Sequence, residues 1–536
     1  MRIRSMLFVI LLLSVVSGRE ANAIDGLKYN KLIEQYYQSQ SLTFLWLDSR
    51  GKPVRNTEIL LGFLEDSWKH GLNPRNYHVD DLKNYLISKQ NIAPRFFDQM
   101  ISDAYLRYVQ DMTGMRVSAD LIEQDSRYWR TPYDVNWLLA QAQNTNNLEA
   151  FLSTLEPKGP LYKKMKEELV TLVTSEHPPQ ERLILTQTKL LRPGAVHQEF
   201  VPMLRRFLNI PAHDWQKNVY DDELVQAVIH FQQDNNLKAD GIVGPQTLNL
   251  MNKTPRDKVH QIIANMERLR WLSPDKPEKY VLVNIPSATL WAIENGQIIH
   301  EMPVIVGRKK RPTASFISKI TGVRYNPTWT VPKTIKKEDF LPMLQKDPYA
   351  LVQKGIDIKG RTEEGGWVSI DPTLVDWSSM SEQGLKQYRM IQSPGPTNPL
   401  GTIRILMPNQ YNIYLHDTSS PEYFRSSNRN VSSGCVRIKE PRKVADFILS
   451  SNSNWDPTFT DRMLARGKMA DIAAENKIPV YLLYLTVWIN EDGSLAYGPD
   501  SYDWDSLLVS VLYQQNKMPM MAFATKKNGT TLAYKN

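Results

Sequence analysis

The stretch "VSSGCVRI" runs from Val431 to Ile438 and holds Cys435, the single cysteine of a 536-residue chain. One thiol cannot close an intramolecular disulfide, so it is a buried inert group, an intermolecular bridge or a nucleophile. Its neighbours suit acyl transfer. Gly434 lets the backbone approach a carbonyl without a Cβ in the way, and the amides of Gly434 and Cys435 could face a developing oxyanion. Arg437, two residues on, shares a face with Cys435 in an extended segment, where it could lower the thiol pKa or hold a substrate carboxylate. The chemistry also needs a base. His416 stands 19 residues upstream, at the end of "YNIYLHD" and beside Asp417. Alternation there turns Ile413 and Leu415 to the core and Tyr414 and His416 to the opposite side. Nearby backbone or the Asp417 carboxylate could orient the imidazole. The other eight of the nine histidines lack such a setting. His70 and His78 flank a turn and read as surface residues. On the residues alone, a packing histidine and an inert thiol remain open.

The elements that must position these groups change character along the chain. From Asp25 to about Leu185, apolar residues recur every three or four positions, as in "TEILLGFLEDSWKHGLNP", which predicts amphipathic helices. From about Arg192 to Asn252, short helices are joined by an Asp-Gly turn and a Gly-Pro break. "DNNLKADG" lacks the alternating oxygen ligands and closing Glu of a calcium loop. A connecting helix follows in "PRDKVHQIIANMERLRWL". The period then shifts to two, and "ENGQ" marks a hairpin. A long segment from Lys333 to about Pro399 interrupts the strands. Trp367, Trp377 and Tyr388 within it point to a folded insertion rather than a loose loop.

The first 23 residues have a basic start, an apolar run of 11 residues from Met6 to Val16, and "ANA" ending at Ala23. That is the layout of a cleaved secretory signal, and the run is shorter than the roughly 20 residues a membrane span requires. The chain carries +8 overall, and +6 without the first 23 residues. This mild basicity suits an anionic envelope. No basic tract interleaved with aromatics argues for nucleic acid, and scattered histidines with one cysteine make no metal constellation, so no metal or organic cofactor is expected.

Two stretches resemble known families. "AVIHFQQDNNLKADGIVGPQTL" is similar to the signature of a small three-helix peptidoglycan-binding domain. "YNIYLHDT…FRSSNRNVSSGCVRI" resembles the catalytic segment of the YkuD-type L,D-transpeptidases, a His followed after a spacer by Ser-His-Gly-Cys-x-Arg. "NPTWTVPKTI" and "PGPTNPLG" resemble the large periplasmic members. Where many members carry a second His, this chain has Ser433, which leaves His416 as the base.

The resemblance implies a multidomain α+β chain. Its parts would be a signal (1–23), a helical scaffold (24–190), a peptidoglycan-binding domain (191–253), a connecting helix (254–276), a β-rich catalytic domain (277–490) with a capping insertion at about 333–399, and a C-terminal segment (491–536). It further implies a periplasmic enzyme of which Cys435 is the nucleophile and His416 the general acid/base. Gly434, Ser433 and Asp417 would serve the oxyanion or orient the base, and Arg437, Tyr414, Trp329 and Tyr325 would meet substrate. The substrate would be the peptidoglycan stem tetrapeptide, cleaved after diaminopimelate and joined to a second stem, with other wall synthases as candidate partners.

Overall fold

The computed structural model describes residues 26–519 except 89–92, 123, 127–128, 178–180, 187–189, 212, 215, 236, 276, 427 and 491, together with 525–527 and 530–532. The expected leader lies outside the described residues. The chain forms two compact units. One holds the residues up to Asn235, Ala239–Asp275 and those from Thr486 onward; the other holds Asn236–Lys238 and Lys276–Leu485.

The first unit is helical. Pro94–Met112 is its central helix, started by Pro94, whose missing N–H costs nothing in a first turn. Residues Phe97–Ala104 of this helix are all buried, the acids Asp98 and Asp103 included. Both acids are partnered: Asp98 accepts the Trp46 N–H at 2.8 Å, and Asp103 meets His78 Nε2 at 2.9 Å. His78 and His70 therefore depart from the surface expectation. His70 stacks on Tyr162 with ring centroids 6.0 Å apart, and burial holds its pKa well below the usual histidine value. Beside His70 the chain turns at Gly71 (φ 70°), so closely packed that an added Cβ would lie 2.8 Å from Ile263.

Three further helices, Phe200–Leu208, Asp222–Asp234 and Pro245–Met251, enclose a separate small core of Phe200, Leu204, Tyr220, Leu224, Val228 and Val243. Gln232 pins the Asp-Gly turn there, its Oε1 accepting the Gly241 N–H at 2.9 Å. The helix Pro255–Arg270 begins with a capping box between Thr254 and Asp257. Its apolar face packs with Tyr162, Met165, Val487, Leu508 and Leu512. The chain from Thr486 onward packs within the helical unit, and the β-rich unit runs to Leu485. Among the described residues, no helix is long and apolar enough to cross a membrane.

The second unit is built on strands. β1 (Lys279–Asn284), β2 (Thr289–Glu294), β3 (Gln297–Gly307) and β4 (Phe316–Tyr325) come first. Asn295 and Gly296, both at positive φ, make the tight β2–β3 turn that the Asn-Gly pair predicts. β5 (Trp329–Thr330) leads into the insertion, which contributes β6 (Ile356–Arg361), β7 (Trp367–Ser369) and β8 (Tyr388–Gln392). These form their own sheet in the order β5-β8-β6-β7, over a core that includes Trp329, Leu351, Ile358, Trp377 and Met390. β9 (Ile403–Leu406), β10 (Leu415–His416), β11 (Asn430–Ser432), β12 (Val436–Ile438) and β13 (Ala470–Leu483) complete the main sheet. Its order is β11-β3-β12-β10-β9-β4-β13-β1-β2, and it closes on itself because β2 also pairs with β3.

Candidate active site

β10 and β12 lie side by side and parallel, with Leu415 opposite Val436 and His416 opposite Arg437. The Val436 N–H donates to the Tyr414 carbonyl at 3.0 Å. Leu415 and Val436 are fully buried, so alternation gathers Tyr414, His416, Cys435 and Arg437 on the other face. A parallel register, invisible in a 19-residue spacing, is what brings the thiol and the imidazole to one patch.

The thiol sits at a turn built for it. Gly434 has φ 112°, a conformation side chains rarely adopt, and a Cβ there would lie 3.4 Å from the Pro312 carbonyl oxygen. The Gly434 carbonyl accepts from the Thr313 hydroxyl at 2.7 Å, and that hydroxyl accepts the Gly307 N–H at 2.9 Å. The Ser432 hydroxyl donates to the Cys435 carbonyl at 2.6 Å and accepts the Gly434 N–H at 3.1 Å. This corrects one expectation: the Gly434 amide is engaged within the turn and does not face an oxyanion. The Cys435 amide has no hydrogen-bond partner among the described residues.

Cys435 is partly buried, and its Sγ lies 3.9 Å from the Asn412 carbonyl. Burial raises the thiol pKa above its ordinary value. The Tyr414 backbone and hydroxyl, with Arg404 and Arg437, oppose that rise. His416 is 5% exposed. Burial, then the positive charges of Arg437 and Arg404, push its pKa down to about 3, against weaker support from the backbone of Asp417 and Leu400. Its Nδ1 is buried without a well-formed hydrogen bond. The resting pair is therefore a neutral thiol and a neutral imidazole.

The remaining residues separate. Tyr414 stacks its ring 3.9 Å from the Arg404 guanidinium carbon and 5.5 Å from the His416 ring. Its other side joins the insertion core, where Trp329 is buried and meets Phe340 edge-on. Tyr325 is fully buried in β4, its hydroxyl 2.9 Å from the Thr460 hydroxyl, so it belongs to the core and not to an exposed pocket. Asp417 does not orient the imidazole through its carboxylate. It accepts from the Thr402 N–H and hydroxyl at 2.8 Å each, and from the Thr418 N–H at 2.7 Å. That carboxylate holds the Gly401–Thr402 turn, where a Cβ on Gly401 would overlap it. Ser433 is reached by Arg311, whose Nη1 donates to its hydroxyl at 3.1 Å.

Arg311 and Arg404 carry no motif signal. Arg311 lies over a hundred positions from Cys435 in "VGRKKRPTAS", and only the β3–β4 loop's path shows it. Arg404 shows in the sequence only as a charge within the strand pattern "GTIRILMP".

Residues 278–466 match the L,D-transpeptidase catalytic domain (YkuD), residues 31–169 match the Scaffold domain, and residues 202–251 match a "Putative peptidoglycan binding domain". A curated relative from Haemophilus influenzae (strain ATCC 51907 / DSM 11121 / KW20 / Rd), named "Putative L,D-transpeptidase", is 32% identical over 293 residues, 54% of this chain. The chain spans 57% of that relative's length. Solved structures similar to it include an L,D-transpeptidase from Mycobacterium smegmatis (11% identity, 38% of this chain and 58% of that one, TM-score 0.19). Another comes from Xylanimonas cellulosilytica DSM 15894 (14%, 56% and 100%, TM-score 0.18). The thiol-bearing, β-rich unit thus holds a catalytic domain of the YkuD L,D-transpeptidase family, in a chain that also carries a scaffold domain and a peptidoglycan-binding domain.

Proposed function

We propose that the protein is an L,D-transpeptidase that cross-links peptidoglycan outside the cytoplasm, exported to the periplasm by a cleaved signal within its first 23 residues. The observation that carries this reading is the parallel register of β10 and β12, which turns Tyr414 and His416 to the same side as Cys435 and Arg437. His416 takes the thiol proton as Cys435 Sγ attacks the carbonyl carbon of the third stem residue, diaminopimelate. The C–N bond to the terminal D-alanine breaks, and the amine leaves with the proton that His416 returns. The side-chain amine of a second diaminopimelate then attacks the thioester, forming a new amide and restoring the thiol. The Cys435 amide is the donor available to the oxyanion. Thioester chemistry stores the acyl energy without ATP, which an extracytoplasmic enzyme lacks. The insertion, rooted beside Tyr414, would shield the acyl-enzyme from water, and the small helical module at 202–251 would hold the chain on the wall.

Mass spectrometry of the mature protein mixed with a disaccharide-tetrapeptide tests the reading, with Cys435→Ala alongside. A dimeric muropeptide formed only by the wild type supports it. Tripeptide and free D-alanine without dimer would move the assignment to a carboxypeptidase using the same thiol. The absence of both product and covalent adduct would overturn it in favour of a wall-binding scaffold.

A further inference from the structure

A row of charged side chains crosses the main sheet at the level of His416. Asp471 on β13 is opposite Arg324 on β4, Arg324 opposite Arg404 on β9, Arg404 opposite His416 on β10, and His416 opposite Arg437 on β12. Directly opposed residues point to the same face, so these five form one line. Its far end is neutralised: Arg324 grips Asp471 through two bonds of 2.6 Å. The near end is not. Among the described residues, neither Arg404 nor Arg437 forms an ion pair with a carboxylate, whereas Arg324 one strand away does.

Arg404 rests on the Tyr414 ring, and its buried Nε has no hydrogen-bond partner. Burial acts on Arg437 more strongly than Tyr423, Cys435 or Glu422 does. Two guanidiniums without a carboxylate partner, one stacked on an aromatic ring and one largely desolvated, flank a neutral imidazole and favour an anion that joins them. A guanidinium fork matches a carboxylate in shape and charge.

We propose that Arg404, together with Arg437, forms a carboxylate-binding subsite that flanks His416 and takes a free carboxylate of the acyl-donor peptide. This rests on the acyl-transfer reading above. The donor carries two carboxylates near the scissile amide, one at the far end of the third residue's side chain and one on the terminal alanine. Either would neutralise the cations that disfavour a charged imidazole, so His416 becomes a better proton acceptor once the donor is seated.

The test uses the full chain. Cys435 is alkylated with iodoacetate and with iodoacetamide, and the ratio of the two rates is taken, which cancels the thiolate fraction and reads the local positive potential. Arg404→Gln should lower the iodoacetate-to-iodoacetamide ratio by roughly threefold or more, and Arg404→Lys should retain most of it. An unchanged ratio in a folded Arg404→Gln protein would overturn the subsite. Donors amidated at one carboxylate or the other then identify its occupant. The wild type should lose about tenfold in kcat/KM, mainly through KM, on one of the two amidations, and Arg404→Gln should not distinguish the pair. Equal discrimination by both enzymes would also overturn the proposal. A wild type that turns over no donor would remove the acyl-transfer reading, while the alkylation ratio still decides whether Arg404 attracts a carboxylate.

Discussion

Arg311 donates to the Ser433 hydroxyl at 3.1 Å while the same guanidinium holds Glu338 and Asp339 of the insertion at 2.6 Å each. One half-hidden side chain, 9% exposed, thus ties the turn carrying Cys435 to the insertion beside it. Arg311→Ala is expected to lower kcat of D-alanine release by ten- to a hundredfold, because a displacement of about 1 Å in a reacting group costs on that order. Arg311→Lys should recover only part of it, since a point charge cannot make the fork. Steady-state kinetics with thermal melting checks this; an unchanged kcat in a folded Arg311→Ala protein would remove the positioning role.

Thr313→Val keeps the shape but removes the hydroxyl that bridges Gly434 and Gly307. Two backbone groups lose a buried partner, and the expected cost is about 1–3 kcal/mol. Chemical denaturation followed by intrinsic fluorescence measures the loss, and Cys435 should alkylate at a changed rate because its turn is loosened.

The resting protein should show no thiolate–imidazolium pair. With burial raising the Cys435 thiol and holding His416 near a pKa of about 3, the iodoacetamide rate should climb in a single limb above the ordinary thiol range. A plateau of reactivity between pH 5 and 7 would contradict this geometry. Rate constants taken across pH 4–10 decide it.

His416 also makes stability depend on pH. Its ordinary pKa is 6.5 and its folded pKa about 3. Between these values the unfolded chain binds a proton that the folded one refuses. Stability is therefore lost as pH falls from about 6.5 toward 3, at up to about 1.4 kcal/mol per pH unit from this group. His416→Gln should flatten that part of the profile, which denaturant titrations at several pH values would reveal.

In the helical unit, Arg268 pairs with Asp505, and both are largely buried. Asp505→Ala removes a buried carboxylate from Arg268 and should cost about 3–5 kcal/mol. Calorimetry should show the helical unit melting earlier. An unshifted transition would mean that the segment after Thr486 adds little to that core.

Much of the architecture was legible from local chemistry. The three- and four-residue apolar period and Asn295-Gly296 at a hairpin each encode a local conformation that needs no distant partner. The lone cysteine after a glycine, with a histidine at a strand end, marked a chemical candidate for the same reason. What only the tertiary structure decided are relations between segments far apart in sequence. Parallel pairing of β10 with β12 puts Cys435 and His416 on one face, and the cross-strand row sets Arg404 against His416. The β3–β4 loop delivers Arg311 to Ser433. Tyr325 and Asp417 show the converse. Their residue types suited a site, but the hydroxyl of one is held by Thr460 and the carboxylate of the other by Thr402 and Thr418. A side chain's type says what it can bond. Register and loop path, which depend on the whole sheet closing around its core, determine what it does bond.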